Sequence, residues 1–389
     1  MVRTYKISVL PGDGIGRDVI PQARRVLDAV RERTGGFDTE FHEFECGGEY
    51  YSKNDREWSE EAEMFTKDEA DAILLGAVGA NDRSGKSIRM PDGNLAGYSV
   101  VIGLRMELDL YANVRPVQLY EGVWTPIKEK GPEHVNMVII RENTEGLYAP
   151  ARGILSRGRS SEVAIDSRII TRKGSERVIR YAYETAKRGN GAPVDGVKRV
   201  TCVDKSNLLA GCQLFRSIFD ELGEAYPKIE RDYAYVDAWT QWCIRKPEFY
   251  NVVVAPNEFG DIITDLGAAI QGGLGVAPAG NIGERHGVFE PVHGSAPKYA
   301  GTNTANPIAA ILAAKMMLEW LGERHKDKKL QKAGNSINNA VVSVLRNGKV
   351  RTQDLCVGEW SKIQPSTTDV VTTAIIEHIK NDEGSESIG

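Results

Sequence analysis

The feature that most constrains the fold of this chain is a repeated alternation of short apolar runs with stretches of helical periodicity. Apolar runs of strand length lie at residues 6–10, 72–75, 135–140, 200–203 and 252–255. Helical periodicity follows three of these runs, at residues 18–33, 208–222 and 261–270. Strands that alternate with helices typically build a largely parallel sheet. The sequence therefore predicts an α/β fold.

Composition narrows the class of protein. The chain has 389 residues, 41% of them hydrophobic, which is enough for two ordinary domains or one large α/β unit. Its five cysteines lack CxxC spacing, so neither disulfides nor zinc are indicated and a cytoplasmic location is expected. No secretory leader or membrane span of roughly 18 apolar residues is recognised. The net charge of −5 argues against nucleic-acid binding, and the polar tail at residues 381–389 is expected to be disordered.

Two aspartates follow the apolar run at residues 252–255. Asp261 and Asp265 are four positions apart, so on a helix they would share one face. Two carboxylates that leave coordination positions open suit Mg²⁺ or Mn²⁺. The alternative is that Asp261 is a helix N-cap and Asp265 a solvated acid of the first turn. The spacing alone leaves both interpretations open.

A glycine-rich turn, PGDGIG at residues 11–16, joins the first apolar run to the first helical stretch. Arg17 stands where the Rossmann fingerprint has its third glycine, so an ordinary dinucleotide-binding fold is not predicted. The helix N-terminus after this turn could still face an anion or a cofactor. The alternative is a tight strand-to-helix turn without a ligand.

Three arginines occupy marked positions: Arg105 in VVIGLRMELDLY, Arg115 in YANVRP, and Arg141 at the end of VNMVIIR. Guanidinium groups bind carboxylates through two parallel hydrogen bonds, so converging arginines would suit a substrate with two carboxylates. Each arginine taken alone is more typical of a protein surface.

Three further side chains could support acid–base and metal chemistry. Tyr148 follows shortly after Arg141, and Lys205 lies in CVDKSN just after an apolar run. A lysine beside other cations can lose its proton and act as a base, and a tyrosine can return a proton. Asp237, in YAYVDAW, offers a third carboxylate.

Together these segments resemble the β-decarboxylating dehydrogenase family of 3-isopropylmalate, isocitrate, homoisocitrate, D-malate and tartrate dehydrogenases. The resemblance extends from residue 12 to about residue 373. It is carried, in order, by PGDGIG, GLR with LDLYANVRP, RENTEGLY, CVDKSN, GDIITD and EPVHGSAPKYAGTNTANP.

The resemblance implies an isopropylmalate/isocitrate dehydrogenase-like fold, distinct from the Rossmann type, with two domains and a mixed parallel and antiparallel sheet. Residues 1–111 and 272–389 would form a large cofactor-binding domain. Residues 112–271 would form a small domain with metal and substrate residues and a dimerisation arm near residues 149–165.

The activity implied by the resemblance is an NAD(P)-dependent, Mg²⁺- or Mn²⁺-requiring oxidative decarboxylation of a 2-hydroxy dicarboxylic acid. Lys205 would be the base and Tyr148 the acid, and Lys205 and Asp237 would complete the site of the partner subunit in a homodimer or higher oligomer. The implied metal ligands are Asp237, Asp261 and Asp265. The implied substrate-binding residues are Ser99, Arg105, Arg115 and Arg141. The implied cofactor-binding residues are Asn207, Glu290, His293, Gly294, Ser295, Ala296, Pro297, Lys298, Tyr299 and Asn306.

The segment before Arg105 bears on the choice of substrate within this family. Val101 and Ile102 are apolar and favour an alkyl substituent, as in 3-isopropylmalate. Tyr98 departs from the glutamate frequent among isopropylmalate enzymes, and YANVRPV is closer to the D-malate and tartrate enzymes. D-malate or tartrate, and then isocitrate or homoisocitrate, remain the alternatives. Outside enzymes, the alternative is a catalytically silent regulatory subunit, which typically lacks part of the lysine, tyrosine and aspartate set present here.

The pair Lys298-Tyr299 bears on the choice of cofactor. Many NAD-dependent members carry Asp-Ile at this place, where the carboxylate accepts hydrogen bonds from the ribose and repels a 2′-phosphate. A cation and a phenol resemble the NADP-using isocitrate dehydrogenases instead, and Arg351 is a second cation nearby in sequence. NADP⁺ is therefore favoured over NAD⁺.

Overall fold

A computed structural model gives the structure of residues 2–158 and 160–381. Apart from Asn381, the tail that is predicted to be disordered lies outside these described residues. The strands in chain order are β1 (Thr4–Leu10), β2 (Asp38–Glu43), β3 (Ala72–Leu75), β4 (Ala112–Gln118), β5 (Asn136–Glu142), β6 (Arg152–Arg157), β7 (Ser160–Asp166), β8 (Arg199–Asp204), β9 (Glu230–Tyr235), β10 (Val252–Ala255), β11 (Pro278–Ile282) and β12 (Gly287–Pro291).

The α-helices in chain order are α1 (Gly16–Thr34), α2 (Gly48–Asn54), α3 (Glu60–Met64), α4 (Leu104–Glu107), α5 (Arg172–Arg188), α6 (Ala210–Gly223), α7 (Val236–Arg245), α8 (Asn257–Ile270), α9 (Ile308–His325), α10 (Lys328–Asn347) and α11 (Thr368–Asn381). The predicted alternation of strands and helices is confirmed. None of the helices in the described part of the chain is both long and apolar enough to cross a membrane.

The chain divides into two compact units. The first comprises Met1–Leu108, Tyr120–Pro126 and Gln271–Gly389, and the second comprises Asp109–Leu119 and Ile127–Ile270. Each unit contains five neighbouring sheet strands of mixed parallel and antiparallel direction, as the predicted fold class requires.

In the first unit the strand order is β2-β1-β3-β12-β11. The pairs formed by β1, β2, β3 and β12 are parallel, and only β11 runs antiparallel to its neighbour β12. Helix α9 packs on β12, α1 and α10 pack against α9 and each other, and α11 packs on α1 and α10. The first half of helix α9 is buried throughout, and its apolar residues occupy nearly every side, as is typical of a core helix.

In the second unit the strand order is β4-β5-β10-β8-β9. Strand β4 is antiparallel to β5, and the other pairs are parallel. Strand β10 is short, rich in valine and fully buried, as expected of a central strand in a parallel sheet. The carboxyl ends of β5, β8 and β10 therefore lie at one edge of this sheet, and each is followed by a candidate site residue.

The segment at residues 149–161, predicted from its Gly, Arg and Ser content to be a hairpin or a mobile loop, forms an antiparallel hairpin. Strand β6 pairs with β7 in the register Arg152 to Asp166. Every residue of both strands is exposed in this single chain, including Ile154 and Ile165. Its role as a dimerisation arm remains a prediction.

Candidate functional site

Helix α8 presents the predicted acid pair on one face. Asp261 is the fifth residue of this helix, which begins at Asn257, so the alternative of Asp261 as an N-cap is wrong. The side chain of Asp265 is 69% exposed and that of Asp261 38%. Arg115 of β4 lies beneath both, with Nη2 3.7 Å from Asp261 Oδ1 and Nη1 3.6 Å from Asp265 Oδ1. Two accessible carboxylates are thus held beside a fixed positive charge.

Arg141, at the end of β5, supports the same carboxylate from below. Its Nη1 forms an ion pair with Asp261, and its Nε and Nη2 donate to Asn257 Oδ1 at 3.0 and 2.7 Å. A side chain at Gly260 would bring its Cβ to 2.6 Å from Arg141 Cβ, so the close approach of α8 to this arginine requires a glycine. The buried guanidinium therefore fixes the orientation of the first turns of α8.

Tyr148 meets this acid pair from a different segment. Its hydroxyl donates to Asp261 Oδ2 at 3.1 Å, and the Arg141 guanidinium carbon lies 5.6 Å from the centre of its ring. Partial burial raises the pKa of Tyr148, and the negative charge of Asp261 raises it further. The hydroxyl therefore keeps its proton at neutral pH, as a proton donor must.

Lys205 and Asp237 form a separate pair in the second unit. Lys205 follows β8, Asp237 lies in the first turn of α7, and Lys205 Nζ is 2.8 Å from Asp237 Oδ2. The hydrogen bond from Lys205 lowers the pKa of Asp237. Within residues 2–158 and 160–381 no three His, Cys, Asp or Glu side chains converge as a metal site. Asp237 therefore does not join Asp261 and Asp265 within one chain, and Asn207 lies exposed in the turn after Lys205.

The remaining substrate candidates lie in the first unit. Arg105 of α4 places Nη2 3.1 Å from Glu290 Oε1, which also accepts a hydrogen bond from Asn281 Nδ2 at 2.7 Å. Ser99 begins a π-helical turn, Ser99–Gly103. Its N–H donates to the carboxylate of Glu57 at 3.2 and 3.3 Å. Sequence reasoning missed Glu57, because a single acid before a helix has no distinctive spacing.

A cavity of about 640 Å³ in the first unit is lined by four of the ten predicted cofactor residues. Its lining includes His293, Ala296, Tyr299 and Asn306, together with Ile15 from the glycine-rich turn. The N–H of Ile15 donates to the carbonyl of Ser295 at 2.8 Å, which joins that turn to the SAP motif. The turn also has a structural role, because the Asp13 carboxylate accepts hydrogen bonds from the N–H groups of residues 48, 49 and 79 and so joins the turn to two other segments.

Polar groups in this cavity fit a nucleoside. Partial burial lowers the pKa of His293, and its buried Nε2 has no hydrogen-bond partner among the described residues. An orphaned imidazole nitrogen at a cavity wall is suited to a ligand with a complementary polar atom. Asn306 Nδ2 donates to Asp354 Oδ2 at 2.9 Å, and Asp354, which also lines the cavity, was not anticipated from its RTQDL context.

The loop between Glu290 and Asn306 positions the other predicted cofactor residues. Ala296 adopts a left-handed backbone (φ 36°) immediately before the 3₁₀ helix Pro297–Tyr299. The carbonyl oxygen of Gly294 accepts a hydrogen bond from His293 Nδ1 at 3.1 Å. Lys298 Nζ lies 4.8 Å from the centre of the exposed Tyr299 ring, so cation and phenol form one local pair.

Arg351, the second cation considered for a cofactor phosphate, is buried and binds backbone carbonyl groups instead. Its guanidinium donates to the carbonyl oxygens of Gly348, Gly122, Leu355 and Leu345 at 2.9–3.4 Å and stacks 3.9 Å from the Trp360 ring centre. Burial lowers its pKa. The suggestion that Arg351 could serve a phosphate is therefore wrong, because its donors are committed to backbone carbonyls.

We predict that Arg351→Met lowers the free energy of unfolding by about 3 kcal/mol or more, because several buried carbonyls lose their donor. Denaturant titration followed by circular dichroism measures this. The control is Arg346→Met, since Arg346 and its partner Glu121 are both about 60% exposed and an exposed pair contributes about 1 kcal/mol or less. Equal effects of the two substitutions would contradict the proposed role of Arg351.

Comparison with known proteins identifies relatives along nearly the whole chain. Residues 6–379 match the family described as isocitrate/isopropylmalate dehydrogenase. The chain is 41% identical over 337 residues to a 3-isopropylmalate dehydrogenase of Bifidobacterium longum, covering 86% of this chain and 92% of that protein. It is 37% identical over 385 residues to the decarboxylating D-malate dehydrogenase of Escherichia coli, covering 97% and 100%.

A solved structure gives the same result for the fold. The crystal structure of isocitrate dehydrogenase from Methylococcus capsulatus superimposes with a TM-score of 0.81 at 34% sequence identity, covering 97% of this chain and 100% of that one.

Proposed function

Because the chain belongs to the isocitrate/isopropylmalate dehydrogenase family, and is thus a dehydrogenase, we propose that it oxidises and decarboxylates a 2-hydroxy dicarboxylic acid with NAD(P)⁺ and Mg²⁺ or Mn²⁺. The observation that carries this proposal is the cluster on α8. Asp261 and Asp265 share one helix face and contact Arg115, while Arg141 and Tyr148 contact Asp261. Carboxylates suited to a divalent cation, guanidinium groups suited to substrate carboxylates and a hydroxyl suited to proton donation lie there together.

The acid pair fits a hard divalent cation. Its ligands are accessible carboxylate oxygens, and two carboxylates leave room for substrate oxygens and for a third protein ligand. We assign that third ligand to Asp237 of the partner subunit. When bound, the metal would acidify the substrate hydroxyl and stabilise the negative charge that develops during decarboxylation.

The side chains of this chain would carry the proton transfers. We assign Lys205 of the partner subunit as the base that would accept the proton of the substrate hydroxyl during oxidation. Within this chain the Lys205 ammonium forms an ion pair with Asp237 at 2.8 Å. Tyr148 would return a proton to the carbon that loses CO₂, consistent with its raised pKa. The guanidinium groups of Arg115 and Arg141 would hold the substrate carboxylates.

The cofactor would bind in the first unit with its adenosine half in the cavity of about 640 Å³. The orphaned His293 Nε2 and the Asn306–Asp354 pair would meet the base, and Lys298 and Tyr299 would meet the ribose and its 2′ substituent. An exposed lysine stacked on an exposed tyrosine favours NADP⁺, because a cation attracts the phosphate.

We predict that changing Lys298-Tyr299 to Asp-Ile shifts the preference from NADP⁺ toward NAD⁺ by roughly ten- to a thousandfold. A charge-assisted hydrogen bond contributes about 1.5–3 kcal/mol, and the new carboxylate repels a phosphate. The measurement is kcat/KM for both cofactors in both proteins, with Lys53→Asp on the exposed side of α2 as a matched charge control. A wild-type protein that already strongly prefers NAD⁺ would contradict this assignment.

Among substrates we favour 3-isopropylmalate, since Val101 and Ile102 supply an apolar wall on the turn that precedes Arg105. The D-malate type is the second candidate, because the similarity to the D-malate enzyme of Escherichia coli covers 97% of this chain and 100% of that enzyme. The test is a panel of 3-isopropylmalate, D-malate, tartrate, isocitrate and homoisocitrate with each cofactor, with metal and with EDTA. Absence of cofactor reduction with all five acids would overturn the proposal.

A further inference from the structure

Helix α8 carries a third acid, Glu258, that the proposed reaction does not use. Its side chain is 7% exposed and forms an ion pair with Arg168, which is 15% exposed. The second carboxylate oxygen, Oε2, is buried and has no hydrogen-bond partner among the described residues. A buried ion pair with one unsatisfied oxygen is weak as a source of stability. The presence of this ion pair therefore requires an explanation other than stability.

Arg168 contacts two segments and is joined along the chain to a third, and all three lead to proposed reaction groups. Beside Glu258, its guanidinium carbon lies 5.1 Å from the centre of the Phe259 ring on α8. Its Nη2 is 3.4 Å from the sulfur of Cys212, in the first turn of the helix that follows the Lys205 segment. Arg168 also precedes Ile169, which pairs with the segment that leads to Tyr148.

The pairing at Ile169 fixes the start of the Tyr148 segment. The N–H of Gly146 donates to the carbonyl of Ile169 at 2.8 Å, and the N–H of Ile169 donates to the carbonyl of Gly146 at 3.2 Å. Gly146 adopts φ 87°, and a Cβ there would lie 2.8 Å from Glu258 Oε2. The glycine thus lets this backbone approach the carboxylate closely, two residues before Tyr148.

We propose that Arg168 and Glu258 form a positioning pair, which holds the Gly146–Ile169 bridge against α8 and thereby keeps the Tyr148 hydroxyl on Asp261. The pair bonds α8 to one strand of the bridge, and Tyr148 extends from the other. The distance between the Tyr148 hydroxyl and Asp261 therefore depends on the Arg168–Glu258 ion pair as well as on the segment that carries Tyr148. The part of this inference that concerns turnover rests on the proposed function.

The test combines the substitution of Arg168 with a double-mutant cycle that includes Tyr148→Phe. Arg168→Met is expected to lower kcat by about tenfold to a hundredfold, the penalty for displacing a reacting group by about an ångström, while KM and the Mn²⁺ affinity measured by electron paramagnetic resonance change less than about threefold. In a Tyr148→Phe background the same substitution should have little further effect, because the group it positions is gone. An equal loss in both backgrounds, or no loss in either, would overturn the proposal.

A single substitution leaves a buried charge unpaired and could prevent folding, so a double variant is included. Arg168→Met/Glu258→Leu removes both charges, and apolar replacement of a buried pair is often neutral or stabilising. This variant should keep the wild-type melting temperature yet show the reduced kcat. Wild-type kcat in the double variant would contradict a positioning role. Arg172→Met is the matched control, because Arg172 lies four residues away in an exposed ion pair with Glu221.

Hydrogen–deuterium exchange separates failure of this inference from failure of the proposed function. The amides of Gly146 and Ile169 should exchange at least tenfold faster in Arg168→Met and in the double variant than in the wild-type protein or in Arg172→Met. This readout requires no turnover. If no substrate is oxidised but exchange accelerates, the function fails and the positioning pair stands. Unchanged exchange would overturn the pair whatever the activity.

Discussion

Lys205→Met is expected to abolish oxidation of the substrate, because methionine fills a similar volume but cannot accept the hydroxyl proton. Loss of a positioned base typically lowers the rate by about a hundred- to ten-thousandfold. The measurement is the initial rate of cofactor reduction at saturating substrate and metal, together with the melting temperature. The control is Lys187→Met, since Lys187 is 63% exposed on α5. Near-normal turnover by Lys205→Met would remove the lysine from the mechanism.

The same variant tests whether the site is shared between subunits. Lys205→Met and Arg115→Ala should each be inactive alone, and a mixture that exchanges subunits should regain activity. In a hybrid homodimer one site carries both lesions and the other carries neither, so rescue follows only if Lys205 and Arg115 act in one site across the interface. Lack of rescue, with hybrid formation shown by mass spectrometry of the intact dimer, would count against a shared site.

Asp261→Asn is expected to lower kcat by roughly a hundredfold or more, because metal binding would serve both chemical steps. Asp261 also accepts the Tyr148 hydroxyl at 3.1 Å and pairs with Arg141, so one substitution weakens the metal site and the orientation of the proton donor. Mn²⁺ binding followed by electron paramagnetic resonance should weaken in parallel.

The matched control for this prediction is Glu176→Gln, which neutralises an acid in an exposed pair with Arg172 on α5. It should leave both Mn²⁺ affinity and kcat within about twofold, as expected for a surface ion pair. Full activity of the wild-type protein in EDTA would refute the metal requirement.

Local periodicity predicted most of the elements that position the site. Strands β3 and β10 begin and end where their apolar runs do, because a buried strand has no polar face to obscure its limits. The helix predicted at residues 18–33 extends from Gly16 to Thr34, and the one predicted at residues 261–270 begins earlier, at Asn257. Periodicity marks helix starts less closely than strand limits, because polar first turns resemble loops in sequence.

The acid pair on α8 was also predictable, because the spacing of Asp261 and Asp265 is a property of one helix. The family motifs indicated which distant residues to expect near them. The contacts themselves cross more than a hundred positions of the chain, as from Tyr148 or Arg141 to Asp261, and they depend on the strand order β4-β5-β10. Contacts between segments so far apart in the chain leave no periodic pattern in the local sequence.

The sequence by itself determined the α/β class, the acid face of α8 and, through its motifs, the family, because each is written in short spacings along the chain. Tertiary structure alone decided which charges are buried. It placed Arg351 on backbone carbonyls, Glu57 on the N–H of Ser99, and Arg168 on Glu258. The physical reason is that a charge becomes a buried donor, a helix cap or a positioning contact only through partners that the fold brings from remote parts of the chain.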